Sequence, residues 1–251
     1  MKSIILKKTD RGEADELVVF LSRDLGWLRG VAKNSRKSRV RFGGHLEPFS
    51  LVDLAVRSRK KDELVWIDES QVIKGYLRMR SDIAKVAVAS YFFELASIFQ
   101  AEEQPDTGLF DFLHEILEKL DESEMNPLRF MLEEIRLLSL LGYGPRFDSC
   151  PGCGQLHEPG EKTVFSLSLG GACHPGCVPA GEEGLIVSPD TLALVRRGLE
   201  VNGEAASRLR LSKKGMKELR NVLSQFVRYL RGREINSLVF LEKTGIWSRD
   251  V

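Results

Sequence analysis

All four cysteines of this 251-residue chain fall in two close pairs, Cys150-Pro151-Gly152-Cys153 and Cys173-His174-Pro175-Gly176-Cys177, with nineteen residues between the pairs. Two tight turns that each offer two sulfurs are what a tetrahedral divalent ion requires. Pro151 presets one backbone angle, while Gly152 and Gly154 permit left-handed conformations that let backbone N–H groups point at sulfur. The spacing predicts a structural Zn2+ held by Cys150, Cys153, Cys173 and Cys177. Either His157 or His174 is placed to replace one sulfur. Four protein ligands close the coordination shell and leave no position for an activated water, so such an ion braces the fold rather than performing chemistry. Disulfides are the rival in a secreted chain, yet the sequence opens Met1-Lys2-Ser3-Ile4-Ile5-Leu6 and then charges, without a cleavable apolar leader. Four plain thiols are the remaining alternative.

The formal net charge of +1 conceals a division along the chain. Residues 1–80 carry 18 Lys and Arg against 11 Asp and Glu, residues 81–195 carry 6 against 19, and residues 196–251 carry 13 against 6, giving +7, −13 and +7. Ends of one sign and a middle of the other suit a chain whose ends approach a polyanion. Neutralisation of the ends by the middle within one body is the alternative. The densest basic run is Lys33-Asn34-Ser35-Arg36-Lys37-Ser38-Arg39-Val40-Arg41-Phe42-Gly43-Gly44, with five cations and no acid. It lacks apolar periodicity and ends in Gly-Gly, so it reads as a flexible loop rather than a packed helix. Cations placed against phosphates release condensed counterions, giving affinity for a nucleic-acid backbone without base preference and a steep salt dependence. No Gly-x-x-x-x-Gly-Lys-Ser/Thr pattern occurs, which excludes a phosphate loop of the nucleotide-triphosphatase kind.

Short β-branched and aromatic runs fill the opening segment at 3–8, 16–22, 26–33, 46–57 and 63–73, separated by Gly or charge clusters at hairpin distances. Five strands in this length predict a small closed barrel, of the oligonucleotide-binding (OB) kind or the SH3-like kind. Trp27, Phe42, Phe49 and Trp66 are candidate stacking platforms for bases, although strand aromatics more often fill the core. From Ser81 the pattern turns helical. Ser81-Asp82 caps a segment apolar on nearly every face, predicted to be a buried central helix and, with Lys85 and Glu94 inside it, unsuited to crossing a membrane. Further helices are predicted at 107–120, 126–141, 188–197, 213–230 and 237–244, two of them opening on Asn126-Pro127 and Ser188-Pro189-Asp190. The fold class is α+β: a barrel domain over residues 1–80 and a helical domain over 81–251, with a metal-binding insertion at about 145–180.

Three stretches stand in order along the chain: Ala32-Lys33 through Ser38-Arg39 with Phe42-Gly43-Gly44 and Leu46-Glu47-Pro48-Phe49; Ala89-Ser90-Tyr91-Phe92-Phe93-Glu94-Leu95; and, most specific, Leu141-Gly142-Tyr143-Gly144-Pro145-Arg146-Phe147-Asp148-Ser149-Cys150-Pro151-Gly152-Cys153-Gly154 leading to Gly170-Gly171-Ala172-Cys173. In these stretches the chain resembles the RecO family of bacterial recombination mediators. The three-residue gap between Cys173 and Cys177 departs from the two-residue gap expected in most zinc-bearing members. The resemblance implies an N-terminal five-stranded OB-fold barrel followed by a helical domain bearing a four-cysteine zinc ribbon. It implies a cytoplasmic, nucleoid-associated binding protein rather than an enzyme. Such a protein binds single- and double-stranded DNA, anneals strands, and works with RecR and single-strand-binding protein to help load the RecA recombinase.

The residues assigned to DNA are Lys33, Arg36, Lys37, Arg39 and Arg41, with Arg57, Arg59, Lys60 and Lys61 as a second strip. Lys213, Lys214, Lys217 and Arg220 form a third group, of which Lys213, Lys217 and Arg220 recur at helical spacing. This group suits either DNA or the acidic tail of single-strand-binding protein, and an ordinary exposed helix face is its plain reading. A nuclease and a zinc-ribbon transcription regulator are the rival functions. Asp106, Asp111 and Glu115 are the nuclease's candidate carboxylates, but no histidine or open metal position pairs with them, and His45 and His114 stand isolated in the sequence.

Overall fold

Period-two alternation in the opening third becomes five strands in a computed structural model, which describes residues 1–57, 64–99, 105–201, 208–232 and 235–243. They are β1 (Lys2–Arg11), β2 (Asp15–Ser22), β3 (Gly26–Ala32), β4 (Leu51–Arg57) and β5 (Val65–Lys74). They close into a barrel in the order β1-β2-β3-β5-β4, with β3 and β5 parallel and the other neighbours antiparallel. This is the OB fold. Alternate residues face inward, among them Val18 and Phe20 of β2, Val52 and Leu54 of β4, and Val65 and Ile67 of β5. At the parallel seam Gly30 leaves the room that Ile67 fills, since a Cβ there would lie 2.8 Å from the Ile67 Cγ1.

The basic run departs from the flexible loop predicted for it. Residues 34–37 form a turn, with Asn34 at φ +55°, and a short helix α1 (Arg39–Phe42) follows. The missing signal was tertiary: Phe42 and Leu46, each 2% exposed, plug the barrel core and hold the run against it. Its backbone is also tied to the β1–β2 hairpin, through Asn34 N–H to the Asp15 carboxylate at 2.9 Å and Arg36 N–H to the Ala14 carbonyl at 3.2 Å. Leu46 and the residues up to Ser50, predicted as strand, make turns before β4 begins.

The chain divides into two compact units, Met1–Glu124 and Met125–Val251. The first continues past Arg80 through α2 (Leu77–Arg80), α3 (Ile83–Phe99) and α4 (Thr107–Glu122). Helix α3 buries Tyr91, Phe92, Phe93 and Leu95 among others, while α4 turns Leu109, Phe110, Leu113, Ile116, Leu117 and Leu120 inward at helical spacing. Polar ties bind barrel to helices. Arg23 makes a paired contact with Asp111 at 2.9–3.0 Å, Lys74 and the Tyr76 hydroxyl both donate to Glu118, and Met79 N–H donates to Asp121. Acids of the middle segment therefore neutralise two barrel cations, neither of them in the basic run.

In the second unit α5 (Pro127–Leu140) starts at an Asn126 cap that accepts from Arg129 N–H. A three-stranded sheet follows, ordered β7 (Gly171–Cys173), β6 (Thr163–Ser166), β8 (Leu185–Val187). Then come α6 (Pro189–Glu200), α7 (Lys213–Arg231) and α8 (Asn236–Lys243). Phe165 of β6, fully buried, meets Phe226 of α7 edge-on at 5.3 Å between ring centres and Phe147 at 5.7 Å, which seats the small sheet on the helices. Among the described residues no helix is long and apolar enough to cross a membrane.

Candidate functional site

The turn and α1 overhang β1 and β2 and enclose a concavity of about 540 Å³. Lys8, Arg36 and Arg39 bring positive charge to it, Phe42 and Leu46 contribute apolar surface, and Gly43-Gly44 keeps the wall low. Glu16 also lines it and holds Lys8 at 3.5 Å, while Glu47 takes Lys8 at 2.6 Å. Burial works against the Lys8 charge, but Glu47 and Glu16 outweigh it and hold the ammonium pKa above its ordinary value. Ser35, only 8% exposed, lines the same hollow, and its hydroxyl has no hydrogen-bond partner among the described residues. Sequence reasoning missed Lys8 and Ser35. Lys8 reads there as one polar residue of an alternating strand, and Ser35 as spacer between cations.

The five cations of the run differ in what they touch. Arg36 meets Asp10 at 3.3 Å. Lys37 and Arg39 are exposed and make no ion pair among the described residues. Lys33 lies over the Trp66 ring at 4.3 Å, so that aromatic face is already covered by a cation. Arg41 folds back onto the Ser38 hydroxyl and the Lys33 carbonyl, bracing the turn. In the second strip, Arg57 is clamped by both oxygens of Asp68 at 2.5 and 2.6 Å. Arg59, Lys60 and Lys61 lie outside the described residues. Of the proposed stacking platforms, Phe42 and Phe49 are buried, and Trp27 and Trp66 are half-buried. On α7, Lys213, Lys214 and Lys217 are exposed, whereas half-buried Arg220 lines a shallow groove with Phe130, Met131, Leu223 and Leu238.

The cysteine turns converge. One ligand atom each of Cys150, Cys153, His174 and Cys177 lies within 4.8 Å of all the others, an arrangement able to hold a metal ion, and no cysteine is disulfide-bonded. The turns interlock, for a Cβ on Gly152 would lie 2.8 Å from the Cys177 Cβ. Burial raises the Cys150 pKa, but backbone N–H groups of His174, Cys153 and Gly152 outweigh it and bring the thiol down to about 6. Burial and the neighbouring sulfurs of Cys153 and Cys150 push Cys177 up to about 11. Thiolates packed this closely repel one another, and a divalent cation bound among them would offset that repulsion. Cys173, predicted as a ligand, is fully buried beside Cys150 with its sulfur turned to the Gly171 carbonyl at 3.6 Å. His157 gives its Nε2 to the Ala172 carbonyl at 2.9 Å, and its buried Nδ1 has no hydrogen-bond partner among the described residues.

The carboxylates considered for a nuclease have structural duties. Asp106 caps α4 through Leu109 N–H, Asp111 pairs with Arg23, and Glu115 pairs with Lys119 at 2.8 Å. His45 meets the Ser70 carbonyl at 2.7 Å, and His114 stacks on Phe110 with Nε2 3.3 Å from Glu118.

Set beside its relatives, this chain, with its OB barrel, cationic hollow, helices and cysteine–histidine cluster, falls among DNA repair proteins. The family models described as recombination protein O N terminal and C terminal match residues 1–76 and 80–238. The chain is 31% identical over 244 residues to the DNA repair protein RecO of Syntrophus aciditrophicus, covering 96% of this chain and 94% of that one. It is 34% identical over 246 residues to the RecO of Anaeromyxobacter dehalogenans, covering 98% and 96%, and 32% identical over 245 residues to that of Myxococcus xanthus, covering 97% of each. The chain belongs to the RecO family of DNA repair proteins, and its role lies in recombinational repair.

Proposed function

We propose that the chain is a recombination mediator that holds single- and double-stranded DNA by its phosphates without sequence preference. It anneals complementary strands and helps load the RecA recombinase, with RecR, on DNA coated by single-strand-binding protein in the bacterial cytoplasm. The observation that carries this reading is the hollow under α1, where Arg36 and Arg39 stand beside Lys8 and an unpartnered Ser35 hydroxyl. Its apolar wall of Phe42 and Leu46 accommodates a sugar or base edge, while the cations meet the phosphate rail. A mediator accepts any sequence, so phosphate contacts serve it better than base-edge readout. Annealing brings two polyanions together, which charge neutralisation favours without a covalent step. The N-terminal barrel over residues 1–80 is the DNA-binding domain, and residues 81–251 form the helical one.

The test is a salt series on single-stranded DNA. Reversing Arg36, Lys37 and Arg39 to Glu weakens binding to all sequences alike and lowers the salt slope by up to about 2, since each lost phosphate contact removes about 0.7. An unchanged slope takes this turn off the DNA path, and a sharp sequence preference favours the transcription-regulator reading.

A second surface suits a protein partner. The groove of Phe130, Met131, Leu223 and Leu238 has Arg220, Glu134 and Ser224 in its wall and the exposed Lys217 on the same helix as Arg220. An apolar trough with cations beside it fits the acidic, apolar tail of single-strand-binding protein. Arg220→Glu is expected to abolish binding of that tail peptide while leaving DNA affinity unchanged.

A further inference from the structure

The cysteine spacing and the geometry disagree about one ligand, and the distances among the ligand atoms decide between them. Cys173 is the last residue of β7, paired opposite Val164. The next residue, His174, keeps an extended backbone at φ −63° and ψ 144°. That backbone is of the polyproline kind, so the two neighbouring side chains leave in different directions, and distance separates them: one ligand atom each of Cys150, Cys153, His174 and Cys177 lies within 4.8 Å of the others, a set that Cys173 does not join. His174 Nδ1 lies 3.3 Å from the Cys153 sulfur, while the Cys173 sulfur borders the cluster beside Cys150 and donates toward the Gly171 carbonyl at 3.6 Å. The choice also repairs the spacing. Cys150-x-x-Cys153 is then matched by His174-x-x-Cys177 in place of a three-residue gap.

We infer that the metal ligands of this chain are Cys150, Cys153, His174 and Cys177, that Cys173 is a buried thiol outside the coordination shell, and that Glu161 is a positioning residue. Glu161 lies 3.2 Å from His174 Nε2, on the far side of the ring from the sulfurs. A histidine that binds metal through one nitrogen characteristically donates its other N–H to a carboxylate, which fixes the tautomer and the ring orientation. Three thiolates and one imidazole suit a tetrahedral ion of the zinc type. Glu161, His174 and His157 also approach one another closely enough to suggest a separate cation. The ring serves both neighbours without one, through Nδ1 to the sulfurs and Nε2–H to Glu161.

The test reads coordination directly. X-ray absorption of the zinc-loaded full chain is expected to give three sulfurs and one nitrogen, with one ion per chain. Cobalt substituted for zinc reports the same set by its thiolate charge-transfer intensity. That spectrum is unchanged in Cys173→Ser, and His174→Cys gains the intensity of a fourth thiolate. His174→Ala loses metal affinity by about tenfold or more, and Glu161→Gln by about tenfold with the ligand count unchanged. Four sulfurs in the wild-type protein overturn the assignment whatever the variants do. So do loss of zinc from a folded Cys173→Ser, wild-type affinity in His174→Ala, two ions per chain, or no ion bound by the reduced protein. Wild-type affinity in Glu161→Gln removes the positioning role.

Discussion

Arg36 Nη1 lies 3.3 Å from Asp10 Oδ2 at the edge of the cationic hollow, with both side chains largely open to water. An exposed pair of this kind contributes about 0–1 kcal/mol to folding, so its effect falls mainly on what approaches from solvent. Asp10 presents negative charge to an incoming phosphate and occupies the guanidinium that would receive it. Asp10→Asn is therefore expected to leave the melting temperature nearly unchanged. It should tighten single-stranded DNA binding at low salt by about fivefold, equivalent to about 1 kcal/mol. Fluorescence anisotropy at two ionic strengths checks it, because the gain shrinks as salt screens the charge.

The barrel's parallel seam offers a test of packing. Gly30 of β3 faces Ile67 and Val65 of β5, whose side-chain carbons lie 2.8–3.0 Å from where a Cβ would stand. Gly30→Ala forces these branched side chains or the strand apart and is expected to cost about 1–3 kcal/mol, as overpacking does. Gly12, at the β1–β2 turn, has nothing within 4 Å of its Cβ position, but its φ of +69° still strains any replacement. Chemical denaturation of the two alanine variants separates crowding from backbone strain, since only Gly30→Ala is relieved by trimming Ile67 to Ala, which removes the Cγ1 and Cδ1 that the new methyl would meet.

Much of this architecture is legible in the sequence because its signals are local. The β-branched and aromatic run Leu17-Val18-Val19-Phe20 and the caps at Asn126-Pro127 and Ser188-Pro189 mark the starts of β2, α5 and α6 within a residue, although α6 runs three residues past the predicted Arg197. The basic run reads as a flexible loop because what orders it, the burial of Phe42 and Leu46 in a barrel assembled from distant strands, is not local. The four cysteines locate the metal cluster but not its ligand set. Where the side chains of the adjacent Cys173 and His174 lie relative to the other sulfurs depends on the backbone at the end of β7, which spacing does not encode. Arg57 and Arg41 count as DNA contacts on charge alone, and the structure shows each with a partner of its own.

Glu218 ties the start of α6 to α7, and the tie is pH-dependent. Its Oε2 accepts from Ser188 N–H at 3.0 Å, the Ser188 hydroxyl at 2.6 Å and the Thr191 hydroxyl at 2.9 Å. Burial raises the carboxyl pKa, but Ser188, Thr191 and Lys214 outweigh it and hold it below the usual 4.5. A folded pKa below the unfolded one gives stability fully present above the unfolded value and lost as pH falls through the folded one. Glu218→Gln should thus destabilise by about 1–2 kcal/mol at neutral pH, the difference between charge-assisted and neutral hydrogen bonds. Urea titrations of the two proteins should converge as the pH is taken well below 4.5.

Metal removal should act on the second unit unevenly. The stretch from Phe147 to Val187 carries three short strands, and its aromatic anchorage runs from Phe147 to Phe165 and from Phe165 to Phe226. Helices α5, α6 and α7 have their own joints: Leu132 fits against Gly198, and Arg136 donates to the carbonyls of Gly198 and Val201. Little apolar surface surrounds the cysteine turns, so an ion there replaces a core, and its binding energy is folding energy for that segment alone. Chelation under reducing conditions is expected to lower amide protection over residues 145–180 by about tenfold or more, the equivalent of about 1.4 kcal/mol of local stability, while α5 and α7 keep theirs. Gly152→Ala should reproduce the effect in metal-replete protein, because its methyl group would press on Cys177 Cβ at 2.8 Å and on the Cys177 carbonyl oxygen at 2.9 Å, driving the two turns apart. Hydrogen exchange read by mass spectrometry resolves these segments; loss of protection spread evenly through the helices would show that the ion supports the whole unit rather than its insertion.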